Sequence, residues 1–415
     1  VIPIHLSTNH PRWTPETEEE LQGAIDMGLL EESHYLDLKE ALASKSDNRE
    51  TARDLASFAI DGGTLIIGIA EDTASNVFSL APQPLVGLPE KIEQIARNTP
   101  DPPLNVLTDS IPSTADPQAG YLIVHIPASP SAPHMVDGRY YGRGDKTKHR
   151  LADPEVLLLH ERRRIAEKDA LAMLQYEMER DPIPDGEQAH FFFVAHPLAA
   201  RRDMLKDLVS GDWNLQMAHL IQKAYTPELN TQLGQGVVPP ITYASTGYRV
   251  SRGAARATNN LSNGRKYTPN PSTSEIALEL QVHENGGMRL YSSRLSEALH
   301  SRPNSDEQFI YENAAVDLTR RMLVLIHSAS ENAGYFGNWA LAVGVTKLRG
   351  LRIFPYHAPG SLPPEARYEE DTYQETSAVT WAELNSTPGE ITHKLIGPLL
   401  RALDAEHLHT KLLQD

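Results

Sequence analysis

The chain contains no cysteine. Disulfides, thiol nucleophiles, cysteine-held iron–sulfur clusters and the common zinc fingers are therefore excluded together. Long apolar runs are also missing. The longest stretch of apolar residues and glycine is Trp339–Val345, against the ~20 residues a helix needs to cross a bilayer. No charged-then-apolar leader opens the chain, since Val1–Ile4 runs into Trp13, Pro15 and an acidic stretch. These absences give the expectation of a cytoplasmic protein with no membrane partner. Positive charge is scarce: 38 Lys and Arg against 55 Asp and Glu leave a net charge of −17. Such a surface does not bind polyanions indiscriminately, so any nucleic-acid contact must be local. Of the basic residues 26 are Arg and 12 are Lys. Arginine suits bidentate phosphate contact, though a GC-rich coding bias produces the same skew.

Several catalytic signatures are absent as well. No GxxxxGK[ST] phosphate loop occurs, so ATP is not expected as a cofactor. His160–Glu161 is followed by Arg164 where a zinc-protease helix needs histidine. There is no GxSxG nucleophile elbow.

At 415 residues and roughly 150 residues per domain, two or three domains are expected. Thr14, Pro15 and a run of acids predict a capped helix carrying Leu21, Ile25 and Leu29. A strand over His34–Lys39 and a helix over Asn48–Ile60 follow, the helix stopping at Gly62–Gly63. Thr64–Ala70 and Tyr121–Pro127 read as buried strands, Ile92 and Ile95 as the apolar side of a helix ending near Arg97, and Arg139–Arg143 as a last strand. A long helix is expected from Asp153 to about Arg180. The proline-broken polar stretch Asp181–Gln188 marks the domain boundary, giving domains 1–180 and 186–415. In the second, Phe191–Ala195 and Trp339–Val345 read as strands, Glu275–Val282 and Met288–Ser292 as a hairpin, and Ile310–Ser330 as a helix. His407 and His409 fall in an expected amphipathic terminal helix. The fold class is α/β, or α+β, in both domains.

Chemistry concentrates in the first 150 residues. Asp37 and Lys39 are two apart on a short strand, which places both side chains on one face. A carboxylate beside an ammonium suits metal-assisted phosphodiester cleavage: the acid holds a hard cation such as Mg2+ or Mn2+, the lysine stabilises phosphate charge. Glu32 enters from the preceding turn, and Glu71 and Asp72, after the buried strand, could supply further oxygen ligands. The plain alternative is a solvated salt bridge at a strand end. His34 lies near Asp37 as a base, a ligand or a surface histidine.

The order of segments carries more than any one of them. ESHYLDLK, a helix ending LASFAIDGG, the strand TLIIGIAED and YLIVHIPASPSAPHMVDGRYYGRGDKTKHRL together resemble the Schlafen AlbA-type domain, over about Glu31–Leu158. That resemblance implies a mixed sheet with flanking helices, followed here by a second α/β domain whose family is not recognised. Eukaryotic Schlafens use two glutamates of the first motif and an acid after the Ile-Gly-Val strand for metal-dependent cleavage of structured RNA, tRNA especially. Many bacterial members are read instead as nucleic-acid-binding regulators. Carried over, Glu32 matches the first acid, Asp37 replaces the second glutamate, Lys39 matches the lysine, and Gly62 and Gly63 match the glycine pair. Ala70 stands where the later acid belongs, with Glu71 or Asp72 as substitutes.

The resemblance thus implies Glu32, Asp37, Lys39 and Glu71 as catalytic residues, with Glu32, Asp37, Glu71 and Asp72 as metal ligands. The expected activity is a metal-dependent endonuclease on structured RNA such as tRNA, with a place in bacterial phage defence. The competing expectation is a non-catalytic DNA-binding transcriptional regulator with a C-terminal sensor or partner-binding domain. A homo-oligomer fits either.

Basic residues supply the binding half. Between Arg139 and Lys168 nine Lys and Arg face five acids, with Tyr140 and Tyr141 beside Arg139 and Arg143. Cations interleaved with aromatics suit phosphate contact and base stacking. Arg139, Tyr141, Arg143, Lys146, Lys148 and Arg150 are the candidate nucleic-acid-binding set; the alternative places one tyrosine in the core. A second basic stretch, Arg249, Arg252, Arg256, Arg265 and Lys266, lies in a run from Gln232 to Ser274 without Asp or Glu. It is a second nucleic-acid surface or a basic loop.

Overall fold

The computed structural model describes residues 15–42, 48–72, 77–144, 147–198, 203–233, 240–251, 253–267, 276–298, 308–333, 335–353 and 366–414. The chain divides into two compact units, Val1–Arg164 and Ile165–Asp415.

In chain order the first unit holds α1 (Glu18–Asp26), β1 (Leu36–Lys39), α2 (Asn48–Phe58), β2 (Gly63–Ile67), β3 (Ile69–Asp72), β4 (Val77–Leu80), β5 (Gln83–Pro84), α3 (Leu88–Asn98), β6 (Leu107–Pro112), β7 (Ala119–Ile126), β8 (Met135–Val136), β9 (Arg139–Arg143) and β10 (Lys148–Arg150). The unit boundary falls inside α4 (Asp153–Glu179). β1 runs parallel to β2, and β2 antiparallel to β7, whose other partners are β5 and β6.

Alternation along these strands sorts the core into two layers. Leu65, Ile67, Leu122, Val124 and Ile126 meet Ala52, Leu55 and Phe58 of α2 and Ile92 and Ile95 of α3. Leu36, Leu38, Ile66, Tyr121 and Ile123 meet Leu21 and Ala24 of α1 on the other face. Each fully buried Leu or Ile contributes roughly 1.5–3 kcal/mol. Because Leu36 and Leu38 face α1, Asp37 and Lys39 must face α2.

Local signals explain where the expected elements change. Thr17, not Thr14, caps α1, its hydroxyl accepting from the Glu20 amide at 3.3 Å; Thr14 lies outside the described residues. The strand expected over Thr64–Ala70 breaks at Gly68, whose φ of +108° suits glycine and where a Cβ would meet the Tyr121 ring at 2.8 Å. Beyond that bend β3 leaves the sheet and pairs with β4 as a separate hairpin.

The second unit contains β11 (His190–Pro197), α5 (Trp213–Lys223), α6 (Pro227–Leu233), β12 (Gly247–Ser251), β13 (Ala254–Asn259), β14 (Leu278–His283), β15 (Met288–Ser292), β16 (Ser296–Ala298), β17 (Gln308–Ile310), α7 (Glu312–Ala333), β18 (Asn338–Thr346), β19 (Arg352–Ile353), β20 (Tyr373–Thr380), α8 (Trp381–Ser386), α9 (Pro388–Ala402) and α10 (Thr410–Leu413). Seven strands form an antiparallel sheet in the order β12-β13-β14-β15-β11-β18-β20. Phe191 and Phe193 of β11 pack into the core with α5, α7 and α9. Phe192 and Val194, on the opposite face, pack with Ala170 and Leu174 of α4. The chain is thus an α/β protein whose second sheet is of the α+β kind.

The polar stretch Asp181–Gln188 lies within this second unit. Asp181 there is tied to the sheet, 2.6 Å from His190 Nδ1 and accepting from the Tyr291 hydroxyl at 3.0 Å. His407 sits in a short 3-10 turn rather than an amphipathic helix, and His409 is buried 3.7 Å from Glu312. Among the described residues no helix is long and apolar enough to cross a membrane.

Candidate nucleic-acid interface

Asp37 and Lys39 project from β1 toward α2 and the β9–β10 ribbon, as their spacing requires. Each Asp37 oxygen faces a cation, though only Oδ1 accepts a hydrogen bond. Arg143 of β9 donates from Nη2 to Oδ1 at 3.0 Å, and Lys39 Nζ lies 2.8 Å from Oδ2. Arg143 also donates to the backbone carbonyls of Ser33 and Leu36, and its guanidinium covers the Phe58 ring at 4.3 Å. Asp37 and Arg143 are both buried. Burial by itself would raise the Asp37 carboxyl, but Lys39 and Arg143 outweigh it and hold it below the usual carboxylate range.

The pair belongs to a longer ladder of alternating charge. Lys39 Nζ stands 3.9 Å from Asp54 of α2, whose other oxygen accepts from Lys148 at 2.5 Å. Lys148 also meets Glu50, Glu50 accepts from Arg53 at 2.8 Å, and Arg53 reaches Asp137 at 3.0 Å. Arg49 closes the row on Asp137 at 3.3 Å. Burial raises the Asp54 carboxyl despite its two lysines. For Lys39, the pull of Asp54, Asp37 and Glu32 outweighs the burial that opposes its charge and raises its pKa.

Glu32 is half-buried and accepts weakly from the Leu38 amide at 3.5 Å. Its carboxyl is raised, first by burial and then by the charge of Asp37, with a smaller push from Glu71. Glu71 and Asp72 are exposed on β3 and, as neighbours on a strand, point to opposite sides. Glu71 and Asp37 both act on the Glu32 carboxyl. A divalent ion needs several oxygens converging on it. Among the described residues no group of three or more His, Cys, Asp or Glu side chains is placed to hold one. Asp37 is paired with two cations, and Glu32, Asp37, Glu71 and Asp72 do not form such a group among the described residues. His34 bridges Asp61 at 3.1 Å and the Gly144 carbonyl at 3.3 Å, the surface role among its alternatives.

The expected binding set divides by exposure. Arg143 and Tyr141 are buried, Tyr141 in the α2–α3 core with Arg53 5.6 Å from its ring, so neither presents its side chain at the surface. Lys148 is occupied by Glu50 and Asp54. Lys146 lies outside the described residues. Arg139 and Arg150 are exposed, and among the described residues neither makes an ion pair. Arg150 pairs with Tyr141 across the ribbon, and Arg139 is two residues before Tyr141, so the two arginines are diagonal positions on one face. In the second unit Arg256 and Arg265 pair with Glu279, so that basic stretch is not a free surface there; the Arg249 side chain and Arg252 lie outside the described residues.

Sequence reasoning missed Asp54, Glu50, Arg53 and Asp137. Asp54 carried a signal: Thr51, Asp54 and Phe58 form a second stripe on α2 at i, i+3 and i+7. A buried carboxylate on such a stripe needs a cationic partner.

No curated protein matches the chain. Residues 32–152 match the family model described as Schlafen, AlbA_2, which points to nucleic acid as the class of partner. The first unit of this chain carries a Schlafen AlbA_2 domain.

Proposed function

We propose that the Schlafen AlbA_2 domain binds nucleic acid without cutting it, and that the chain is a DNA- or RNA-binding regulator whose second unit senses a ligand or partner. The observation that carries this reading is the neutralisation of Asp37 by Arg143 and Lys39 at 3.0 and 2.8 Å. It engages the carboxylate that would be the central ligand for phosphodiester cleavage in two ion pairs, the buried one with Arg143 above all, while Arg139 and Arg150 stay available to phosphate. Phosphate contacts of this kind give affinity without sequence selection.

A second reading, endonuclease action on structured RNA such as tRNA, is favoured by one observation. Glu32 sits close enough to Asp37 and Glu71 for their charges to raise its carboxyl. One experiment separates the two: purified protein is incubated with total tRNA and with plasmid DNA, each with manganese or with chelator, and both retention and fragment length are recorded. Retention without new fragments is the expected result. Manganese-dependent fragments that vanish in Glu32→Gln would establish the nuclease instead.

A further inference from the structure

Apolar residues of α4 lie on two sides of the helix rather than one. One side meets protein. Val156, Leu159 and His160 are half-buried there, His160 6.0 Å from the Tyr140 ring, and further along the same side Ala170, Leu174 and Glu177 are buried. The opposite side is open. Leu158, Ile165 and Ala172 recur on it every seven residues, flanked by Leu157 and Tyr176. Leu157, Leu158, Ile165 and Tyr176 are each at least half exposed, and they are four of the ten most exposed large apolar side chains among the described residues. The exposure is therefore gathered into one stripe instead of being scattered singly over the surface. From Asp153 to Asp169 no described side chain is buried, so this half of the helix draws little support from packing on its own chain.

Charge along the stripe selects what covers it. Residues 153–161 hold three acids and no Lys or Arg, whereas residues 162–169 hold four Lys and Arg against two acids. Asp153, Glu155 and Glu161 of the first stretch are exposed, as are Arg164 and Lys168 of the second. Glu161 stands three residues after Leu158, and Lys168 three after Ile165, so both lie in the stripe itself. A second copy running parallel would set each of them against its own counterpart, acid on acid and ammonium on ammonium. A copy running antiparallel, with Leu158 opposite Ile165, lays the acidic stretch of each helix along the basic stretch of the other. Like charges in contact are costly, and complementary ones fix register.

We propose that two copies of the chain form an antiparallel homodimer through α4, Leu158 of each packing on Ile165 of the other. Each copy contributes the same patch, so the contact is isologous and closes at two. The paired stretch is short, about 17 residues or ~25 Å of helix, which suits a reversible dimer rather than an obligate one. It needs no nucleic acid and is tested without any.

Sedimentation equilibrium of the full chain over a concentration series from about 1 to about 100 μM should show a mass rising from 46.0 kDa toward twice that value. Leu158→Glu should weaken association about tenfold or more and leave the far-ultraviolet dichroism unchanged, because the side chain is exposed. The chain has no cysteine, so introduced thiols report the geometry directly. Under mild oxidation a mixture of Leu158→Cys and Ile165→Cys chains should cross-link one kind to the other, since a disulfide needs Cα atoms within ~4.4–6.8 Å. Either variant alone should cross-link far less, its like positions being offset by about seven residues, ~10 Å, along the axis. A mass of 46.0 kDa at every concentration, a Leu158→Glu dimer as tight as wild type, or Leu158→Cys chains that cross-link with one another as readily as with Ile165→Cys would each overturn the proposal.

Discussion

Arg143 Nη2 and Asp37 Oδ1 form an ion pair at 3.0 Å, with the two side chains only 3% and 7% exposed, across 106 residues of sequence. A pair this deep is costly to break from one side, since the remaining charge is left buried. Asp37→Asn should therefore lower the unfolding free energy by ~3–5 kcal/mol, a large share of the ~5–15 kcal/mol typical of a folded domain. Replacing both partners, Asp37→Leu with Arg143→Met, should restore much of the loss. Urea unfolding of the two singles and the double decides it. An Asp37→Asn protein as stable as wild type would mean that the carboxylate is free for chemistry.

Glu18 anchors α1 to the β6–β7 turn. It accepts from the Ser113 hydroxyl at 2.8 Å, the Thr114 amide at 2.7 Å and the Tyr121 hydroxyl at 2.5 Å, besides the Thr114 hydroxyl. The Thr114 hydroxyl, then Tyr121, lowers its carboxyl to about 2. A folded-state value below that of the unfolded chain means that unfolding takes up a proton. The stabilisation is therefore complete above the unfolded value of ~4.3 and is lost as pH falls toward the folded one. Glu18→Gln should flatten the acid limb of the stability curve between those limits. Parallel curves for wild type and variant over that range would exclude Glu18 as its source.

Gly63, half of the glycine pair that resembled a functional motif, has a packing role. A Cβ there would fall 2.1 Å from Cδ1 of Phe58, the buried ring that carries the Arg143 guanidinium. Gly63→Ala should destabilise the first unit by roughly 1–3 kcal/mol through overpacking. Thermal unfolding reads this directly. ATP hydrolysis by the wild-type protein that disappears in Gly63→Ala would show that the pair serves a nucleotide after all.

Strong periodicity made most of the fold legible. The Phe191–Ala195 run is all apolar and became a central strand, and the hairpin of β14 and β15 lay close to its expected bounds. The elements without such a signal stayed hidden. β20 reads YQETSAVT, half polar because it closes the sheet edge, and α9 contains Pro398, a residue that usually ends a helix. At the site, two-residue spacing placed Asp37 and Lys39 on one face, as observed. Spacing within one strand could not reveal that Arg143 and Asp54, from β9 and α2, arrive to neutralise them. Nor could it separate Tyr141 in the core from Arg139 and Arg150 at the surface. All three share one face of the ribbon, and how far α2 covers that face is a tertiary fact.

The exposed and buried arginines of that ribbon should behave in opposite ways. Each phosphate contact releases counterions, so removing one shallows the slope of log affinity against log salt by ~0.7–0.9. Arg139→Ala and Arg150→Ala should each do this with melting temperatures close to wild type, since neither side chain carries an ion pair among the described residues. Their effects on the slope should add in the double variant, because each phosphate contact releases its own counterions. Arg143→Ala should lose stability first: it leaves Phe58 uncovered and Asp37 with Lys39 alone. Measured well below its reduced melting temperature, it should keep the wild-type salt slope. The measurement is fluorescence anisotropy of a labelled tRNA and a labelled DNA duplex across a salt series, paired with thermal melts of each variant. If Arg143→Ala shallows the slope while Arg139→Ala and Arg150→Ala leave it unchanged, phosphate reaches the buried ladder and the exposed pair is not the interface.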